Sequence, residues 1–367
     1  MTRFPAIQSV LTGWLVVLCS LVVSFALLDR PAFAVTVGIS GDKVTLDGVP
    51  TKMLGLSYFD GKHWHAEDLD DFSAMGYNLI RVIADWGGTD GLLHDTNARR
   101  LLDLVRYSNS KHIVVDLTVL NFVTTRDPHL QLLGPTVGAV LPAPHAADAL
   151  EQFVRRLTDE PNVIFDVRNE CNLHMPPPPM WENLEDRHEC AYVFGLISRV
   201  KRIKPGAIAF ASVTEGVWAD TFPYTNYRAS TVQPYIRGGF SLLAPHTDRG
   251  QDWQDWVGPR VAAIKRATNN TIPIYMQEEN RQGYNDQVYP KEHFFTAIKA
   301  AFDNGAALVN FHTFAGFDLR QRRFMDNLRV DWEEDQIVRQ LPGMIFGAGR
   351  ANGPPIDPEQ SVRPDEM

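Results

Sequence analysis

The sequence predicts an α/β fold, a (β/α)8 barrel preceded by a short β-hairpin, and two patterns lead to it. Short apolar segments rich in β-branched and aromatic residues recur along the chain, as expected for strands that are buried on both faces. Between them lie segments whose apolar residues follow helical spacing. Such alternation over roughly 330 residues after residue 34 is typical of a barrel. A doubly wound sheet is the alternative, but no Gly-x-Gly-x-x-Gly turn follows the first strand to support it.

The predicted elements can be placed along the chain from these patterns. The eight barrel strands are residues 53–59, 78–85, 112–120, 163–170, 208–213, 240–246, 272–277 and 307–313. The helices are residues 97–110, 146–160, 191–204, 253–268 and 291–304, with a closing helix at 332–341. Glycine-containing turns in residues 35–48 predict the hairpin. Residues 218–239 show no clear helical pattern and are the weakest part of the prediction.

The N-terminus has the pattern of a secretory signal peptide. Arg3 supplies a positive charge, residues 11–28 are uncharged and mostly apolar, and Ala32-Phe33-Ala34 provides a small-residue cleavage site. We therefore expect a secreted or periplasmic protein, free of the membrane after cleavage. An uncleaved membrane anchor is the alternative, because the apolar segment is just long enough to span a bilayer. The predicted domains are a signal peptide at 1–34, a barrel domain at 35–349 and a disordered, Pro-rich tail at 350–367.

The net charge and the motifs of the sequence argue against several classes of binding partner. The formal net charge of −9 argues against nucleic acid, because phosphate binding requires a basic surface, and it is compatible with a neutral glycan. The sequence contains no metal-ligand spacing and no cofactor motif, and we expect a monomer without either. After signal removal two cysteines remain, Cys171 and Cys190. Export favours a disulfide between them, and two free thiols are the alternative.

Polar and aromatic residues collect where the predicted strands end. In a (β/α)8 barrel the active site lies at the C-terminal ends of the strands. That rule selects Tyr58, Asp85, Trp86, Asn121, Asn169, Glu170, Glu215, Trp218, His246, Glu278, Glu279 and His312. Among them, Trp86 and Trp218 could stack on sugar faces, although packing in the core would suit either equally well.

Glu170 and Glu278 are the predicted catalytic pair. Each follows an apolar strand, and two carboxyl groups that face one substrate can divide the breaking of a glycosidic bond between an acid and a nucleophile. A surface-loop position is the alternative for each, and the neighbouring Glu279 is a rival for Glu278. Asp85 and Glu215 also lie at strand ends, where binding of sugar hydroxyls or orientation of neighbours is the expected role.

These motifs resemble those of glycoside hydrolase clan A, and in particular the cellulase-like family 5. The Asn169-Glu170 pair and Glu278 match its fourth and seventh strands, and residues 43–58 and 78–81 are similar to its entry hairpin and first two strands. The resemblance implies that Glu170 is the acid/base and Glu278 the nucleophile. It implies that Arg81 supports the nucleophile, that Asn169 binds the sugar 2-hydroxyl and that His246 is a strand-six histidine. The implied reaction is hydrolysis of an oligo- or polysaccharide with retention of anomeric configuration.

The sequence also departs from the family pattern. The strand-three histidine is replaced by Thr118, and His312 stands near the position of the strand-eight tryptophan that floors the sugar site. The Glu-Phe-Gly that usually follows the nucleophile strand reads Glu278-Glu279-Asn280. Two further hypotheses therefore remain open, a carbohydrate-binding barrel without catalysis and a transglycosylase that uses the same site.

Overall fold

The computed structural model describes residues 34–84, 95–119, 144–172, 190–214, 225–247, 249–250 and 252–347. The predicted signal peptide, apart from Ala34, and the predicted tail lie outside these residues. The strands are β1 (Val37–Ser40), β2 (Lys43–Leu46), β3 (Val49–Pro50), β4 (Met53–Ser57), β5 (Leu79–Ile83), β6 (Val114–Thr118), β7 (Val163–Asp166), β8 (Ile208–Phe210), β9 (Ser212–Thr214), β10 (Ala244–His246), β11 (Tyr275–Met276) and β12 (Leu308–Phe311).

The strands from β4 onward form a parallel curled sheet, which confirms the predicted barrel. Seven of them pair in the order β11-β12-β4-β5-β6-β7-β8, and β9 pairs with β10. Backbone bridges from Leu243 to Ile274 and from His246 to Glu278 join β10 to β11 and continue the curl. In β4, β5, β6, β7 and β12 every side chain is buried, as strands covered on both faces require.

The fifth predicted strand is divided into two short strands. β8 pairs with β7, whereas β9 pairs with β10. The change occurs because the Ser212 amide turns toward the end of β7, where it donates to the Arg168 carbonyl at 3.2 Å and to Asp166 Oδ1 at 3.1 Å. The Ser212 carbonyl in turn accepts from the Cys171 amide at 2.9 Å. The division therefore ties the residues around Glu170 to the neighbouring strand.

The helices of the described residues are α1 (Ala66–Met75), α2 (Asp95–Ser110), α3 (Pro144–Arg156), α4 (Ala191–Ile203), α5 (Ala229–Arg237), α6 (Trp253–Ala267), α7 (Lys291–Asp303), α8 (Phe324–Asn327) and α9 (Glu334–Phe346). The five predicted internal helices are present, with ends within a few residues of the prediction. Three helices, α1, α5 and the short α8, were not predicted, and in α5 Pro234 interrupts the short pattern of Val232 and Tyr235. The closing helix continues through Pro342, beyond its predicted end. None of the helices in the described residues is long and apolar enough to cross a membrane.

The N-terminal strands form the predicted hairpin. β1 and β2 pair antiparallel, and the two residues of β3 add a third strand. The Val37 amide donates to the Pro161 carbonyl at 3.0 Å, and the Val35 amide donates to Asn109 Oδ1 at 2.7 Å. Because Pro161 precedes β7, the hairpin lies at the end of the barrel where the strands begin, which is opposite to the predicted active site.

Cys171 and Cys190 form a disulfide, with their Cα atoms 5.4 Å apart. The bond resolves the alternative between a bridge and two free thiols. Cys171 directly follows Glu170, and Cys190 precedes α4. The disulfide therefore fixes the backbone beside Glu170 to the start of the next helix.

The double variant Cys171→Ser with Cys190→Ser should lower the free energy of unfolding by about 3 kcal/mol, because the bridge restricts the unfolded chain over 19 residues of separation. Urea denaturation without reductant measures this difference. Dithiothreitol should bring the native protein to the level of the variant and leave the variant unchanged. Equal unfolding midpoints for the two proteins without reductant would contradict the expectation.

Candidate active site

Six of the predicted site residues gather at the C-terminal ends of the strands. Arg81 projects from β5, Asn169 and Glu170 follow β7, His246 ends β10, Glu278 follows β11 and His312 follows β12. One carboxylate oxygen of Glu170, one of Glu278 and one ring nitrogen of His246 all lie within 4.8 Å of one another. The fold thus brings together two glutamates that are far apart in sequence. Their short separation is that of the carboxyl pair in retaining glycosidases rather than the wider one of inverting enzymes.

Arg81 is the centre of the polar network below the two glutamates. Its guanidinium is fully buried and donates to Glu278 Oε1, to Asn169 Oδ1 at 2.8 Å and to Thr118 Oγ1 at 3.1 Å. Asp116 and Asp166 carboxylates lie 3.8 and 3.4 Å from it. Burial alone would lower the pKa of Arg81, but the charges of Glu278, Asp166 and Asp116 outweigh burial and raise it. Arg81 therefore remains a cation.

Glu278 is held in its ionised form. Its Oε1 accepts from Arg81 and its Oε2 accepts from Arg249 Nη2 at 2.7 Å. Burial alone would raise its pKa, but the positive charges of His246 and Arg81 hold the pKa of Glu278 well below its ordinary value. His312 Nδ1 lies 3.3 Å from Oε2. Burial lowers the pKa of His312 to about 3, so this imidazole is neutral at pH 7.

Glu170 stands on a strained and well-anchored backbone. Its φ of 46° lies in the left-handed region, which non-glycine residues rarely adopt and which concentrates at functional sites. Its amide donates to Ser212 Oγ at 3.0 Å, and that hydroxyl donates to Asp166 Oδ2 at 3.0 Å. Asn169 Oδ1 accepts from Arg81, which directs the amide nitrogen of Asn169 away from the guanidinium. The backbone turn aims Glu170 into the cleft at a fixed position.

His246 connects Glu170 to the interior of the barrel. Its Nδ1 lies 2.9 Å from Glu170 Oε1 and 3.6 Å from Glu278 Oε2, and its Nε2 lies 2.8 Å from Gln277 Oε1. Gln277 donates its amide protons to Asp116 Oδ2 at 2.7 Å and Asp166 Oδ2 at 3.2 Å, so its carbonyl oxygen faces His246. His246 must therefore carry a proton on Nε2.

The proton between His246 and Glu170 is consequently shared through Nδ1. Either Glu170 is protonated and donates to Nδ1, or His246 is an imidazolium and donates to Glu170. Burial lowers the pKa of His246, but the charge of Glu278 and the hydrogen bond to Glu170 raise it above its ordinary value. Among the described residues, His246 is also the one hydrogen-bond partner of the Glu170 carboxylate. In both forms one proton is available at the cleft.

The same three groups, Glu170, His246 and Glu278, are close enough to hold a metal ion. The surroundings disfavour a cation there, because both oxygens of Glu278 already accept from guanidinium groups. The chemistry of the cluster therefore suits proton transfer and nucleophilic attack better than metal binding.

Tyr58, a predicted substrate-binding residue, does not join this cluster. Tyr58 is fully buried, its hydroxyl donates to Asp68 Oδ2 at 2.7 Å, and its ring packs edge-on against Phe72. This corrects the sugar-binding prediction for Tyr58, because Asp68 draws the hydroxyl into the core. Trp86 and Trp218 lie outside the described residues, as do Asp85, Asn121 and Glu215.

Glu278 and Glu279, the two candidates for the nucleophile, differ in the contacts of their side chains. Glu279 is buried, accepts a hydrogen bond from Thr247 Oγ1 and lies in the field of the positive charge of Arg260. Burial raises the pKa of Glu279 to about 7. The Glu279 side chain therefore contacts Thr247, whereas the Glu278 side chain contacts Arg81 and His246.

The sequence reasoning missed several residues of the site. Gln277 could have been found as a polar residue inside the β11 segment, immediately before Glu278. Asp116 and Asp166 were visible as acids within apolar strands, where a buried charge requires a partner such as Arg81. Arg249 lies in a loop after β10, where no sequence pattern indicates its contact with Glu278.

Glu279→Gln should change the pH dependence of stability. In the unfolded chain the carboxyl has an ordinary pKa of 4.5, whereas in the folded protein the pKa is about 7. The folded state therefore retains a proton between these values, and its stabilising contribution is lost as pH rises through 7. We expect the variant to be more stable than the native protein at pH 8 and nearly equal to it at pH 4.5, by thermal unfolding. The exposed Glu292→Gln is the control. A constant difference across this range would contradict the expectation.

Comparisons with known proteins agree with this architecture. No protein-family model and no curated protein matches the chain. Among solved structures, the β-glucanase from Saccharophagus degradans in complex with cellotetraose is similar, with a TM-score of 0.56, 16% identity and coverage of 84% of this chain and 93% of that one. The β-mannanase of the blue mussel Mytilus edulis gives a TM-score of 0.54, 14% identity and coverage of 84% and 97%. A glycoside hydrolase family 5 protein from Bacteroides vulgatus gives 0.54, 13%, 78% and 63%. In its fold, the chain therefore resembles the (β/α)8 barrels of family 5, as the sequence motifs predicted.

Proposed function

We propose that the protein is an exported retaining glycoside hydrolase that cleaves an O-glycosidic bond of an oligo- or polysaccharide. The observation that carries the proposal is the pair of carboxylates within 4.8 Å at the C-terminal end of the barrel, of which Glu278 alone is fixed by guanidinium groups of the described residues. This asymmetry leaves a shared proton beside Glu170 and none on Glu278, as the acid and the nucleophile of a double displacement require. The β-glucanase and β-mannanase activities of structures with similar folds support the same class of reaction.

In the first step, Glu278 is the nucleophile and Glu170 the acid. A carboxylate oxygen of Glu278 bonds to the anomeric carbon while the bond from that carbon to the leaving oxygen breaks. The leaving oxygen takes the proton shared by Glu170 and His246, so no free alkoxide forms. Asn169, held by Arg81, is positioned to bind the hydroxyl next to the anomeric carbon. The product is a glycosyl ester of Glu278.

In the second step, Glu170 acts as a base instead of an acid. Esterification removes the negative charge of Glu278, so the Glu170–His246 pair, which gave its proton to the leaving oxygen, stays deprotonated and is available as a general base. Glu170 takes a proton from water, the water oxygen bonds to the anomeric carbon, and the bond to Glu278 breaks. Two displacements on the same carbon restore the original anomeric configuration.

A carbohydrate-binding barrel without catalysis is the second candidate. One observation favours it: Arg249 occupies the second oxygen of Glu278 and weakens that carboxylate as a nucleophile. Binding of glycans without any turnover would support this candidate.

Export is part of the proposal. The signal pattern of residues 1–34 supports it, and so does the disulfide between Cys171 and Cys190, because such bonds persist in oxidising compartments.

Glu170→Gln and Glu278→Gln should each fold normally and lower kcat by at least about a thousandfold, because each removes a group that forms or breaks bonds in the reaction. Glu279→Gln, which alters the neighbouring carboxyl, is the matched control and should keep activity within a few fold. Initial rates on a panel of chromogenic glycosides and polysaccharides measure the effect. Full turnover by either of the first two variants would exclude the assigned roles.

The pH profile of kcat/KM should be bell-shaped. Its acid limb should report the protonation of Glu278, and its alkaline limb the loss of the proton shared by Glu170 and His246. Protonation of Glu278 stops the reaction, and because its pKa is lowered, the acid limb should lie below pH 4.5. Loss of the shared proton also stops it, and because the pKa of His246 is raised, the alkaline limb should lie above pH 6.5. His246→Asn should move the alkaline limb to lower pH. An alkaline limb at the same pH in variant and native protein would refute the shared proton.

A further inference from the structure

Two arginines that the proposed mechanism does not need flank the nucleophile. Arg249 donates to Glu278 Oε2 at 2.7 Å, and Arg281 Nη1 lies 3.3 Å from His312 Nε2. Both guanidinium groups lie over the ring of Tyr284, at 4.6 and 5.7 Å from its centroid. Cation–π contacts of this kind hold a guanidinium in place while leaving its N–H groups available.

Aromatic packing fixes Arg281 further. Its guanidinium lies 4.7 Å from the Phe317 ring centroid, and Phe317 stacks on His312 with centroids 5.8 Å apart. His312 in turn adjoins Glu278. Through Phe317 and His312, Arg281 is therefore held beside Glu278, where the sequence lacks the strand-eight tryptophan of family 5.

The charge of Arg281 is not balanced locally within the part of the chain that the structure describes. There, no carboxylate lies within 4.0 Å of its guanidinium, and Arg249 shares its one carboxylate, Glu278, with Arg81. Burial lowers the pKa of Arg281, and the positive charge of Arg249 lowers it further. Two cations held close together in a half-buried site are unfavourable unless a ligand supplies the missing negative charge.

We propose that Arg249 and Arg281 form a subsite for an anionic group on the sugar, either the carboxylate of a uronic acid or a sulfate ester. The planar guanidinium matches such oxygen groups with paired, charge-assisted hydrogen bonds. The proposal rests on the proposed function and narrows its substrate to an anionic glycan. It replaces the neutral glycan that the net charge suggested, because the charge of a whole chain does not describe one cleft.

The same subsite explains how Glu278 becomes reactive. In the free protein, Oε2 of Glu278 is engaged by Arg249. An anionic group that binds Arg249 competes with that contact and releases Oε2, while Arg81 continues to hold Oε1. A neutral sugar lacks this competing charge. The anionic group thus strengthens substrate binding and also frees Glu278 for attack. The preference for anionic over neutral substrates should therefore appear in kcat as well as in KM.

A cavity that Phe317 also lines lies beside this subsite. Phe317 lines it together with Arg320, Arg322 and Arg329. Asp318 and Asp331 pair with Arg320 and Arg329, so the cavity is mixed in charge rather than purely basic. Its position allows neighbouring units of a polymer to extend from the subsite past Phe317.

The test compares matched substrates that differ only in charge. The probes are 4-nitrophenyl β-D-glucoside, its 6-sulfate and 4-nitrophenyl β-D-glucuronide, with cellotriose and the corresponding trisaccharide of β-1,4-linked glucuronic acid for binding to the Glu170→Gln protein. We expect the native protein to prefer an anionic probe over the glucoside by about tenfold or more in kcat/KM, and the preference to fall as salt is added. Sulfate and carboxylate probes distinguish the two sources of charge.

Arg281→Gln should reduce the anionic-to-neutral ratio of kcat/KM by about tenfold. Arg106→Gln removes the same charge from a largely exposed arginine that pairs with the buried Glu160, and should leave the ratio unchanged. Hydrolysis of the glucoside at a rate equal to or above that of both anionic probes overturns the subsite and leaves the proposed function standing. Tighter binding of the anionic trisaccharide without hydrolysis of any probe supports the subsite and overturns the proposed function. A ratio that Arg281→Gln does not change also overturns the subsite.

Discussion

The active-site end of the barrel depends on the buried guanidinium of Arg81. It reaches groups from three other strand ends, Thr118, Asn169 and Glu278, without contact with solvent. A buried cation that loses its carboxylate partner costs several kcal/mol, so these strand ends have one favourable arrangement. The contact that fixes the arrangement also keeps Glu278 ionised. Folding and chemistry are therefore linked through one side chain.

The carboxyl groups near Arg81 have similar intrinsic acidity but different environments. Glu278 has two guanidinium partners and is ionised, whereas burial raises the pKa of Asp116 to about 7. Glu170 lies at the edge, where the described residues offer it His246 as a side-chain partner. Because Gln277 fixes the Nε2 proton of His246, the second proton must lie between His246 and Glu170. In the proposed mechanism, a nucleophile and an acid thus arise from two glutamates of the same intrinsic acidity.

Sequence reasoning predicted the strand-borne part of the site, because apolar strands of a parallel barrel deliver their terminal polar residues to one end. It could not predict Arg249 and Arg281, because both lie on loops whose direction depends on stacking with Tyr284. It misjudged Tyr58, since the partner that turns its hydroxyl inward, Asp68, lies on a following helix. Position along a strand is a local property that the sequence reveals, whereas the contacts of loop residues are set by tertiary packing.

In the proposed mechanism, Glu278 forms a covalent bond to the sugar. Activated 2-deoxy-2-fluoro glycosides slow the second displacement, so incubation with the β-glucosyl, β-mannosyl and β-glucuronyl fluorides followed by mass spectrometry of peptides tests it directly. The account predicts that one fluoroglycosyl group is added to the peptide that contains Glu278, and that Glu278→Gln abolishes the label while Glu279→Gln retains it. A label on Glu170 or Glu279, or turnover of natural glycan with inverted configuration, would contradict the account.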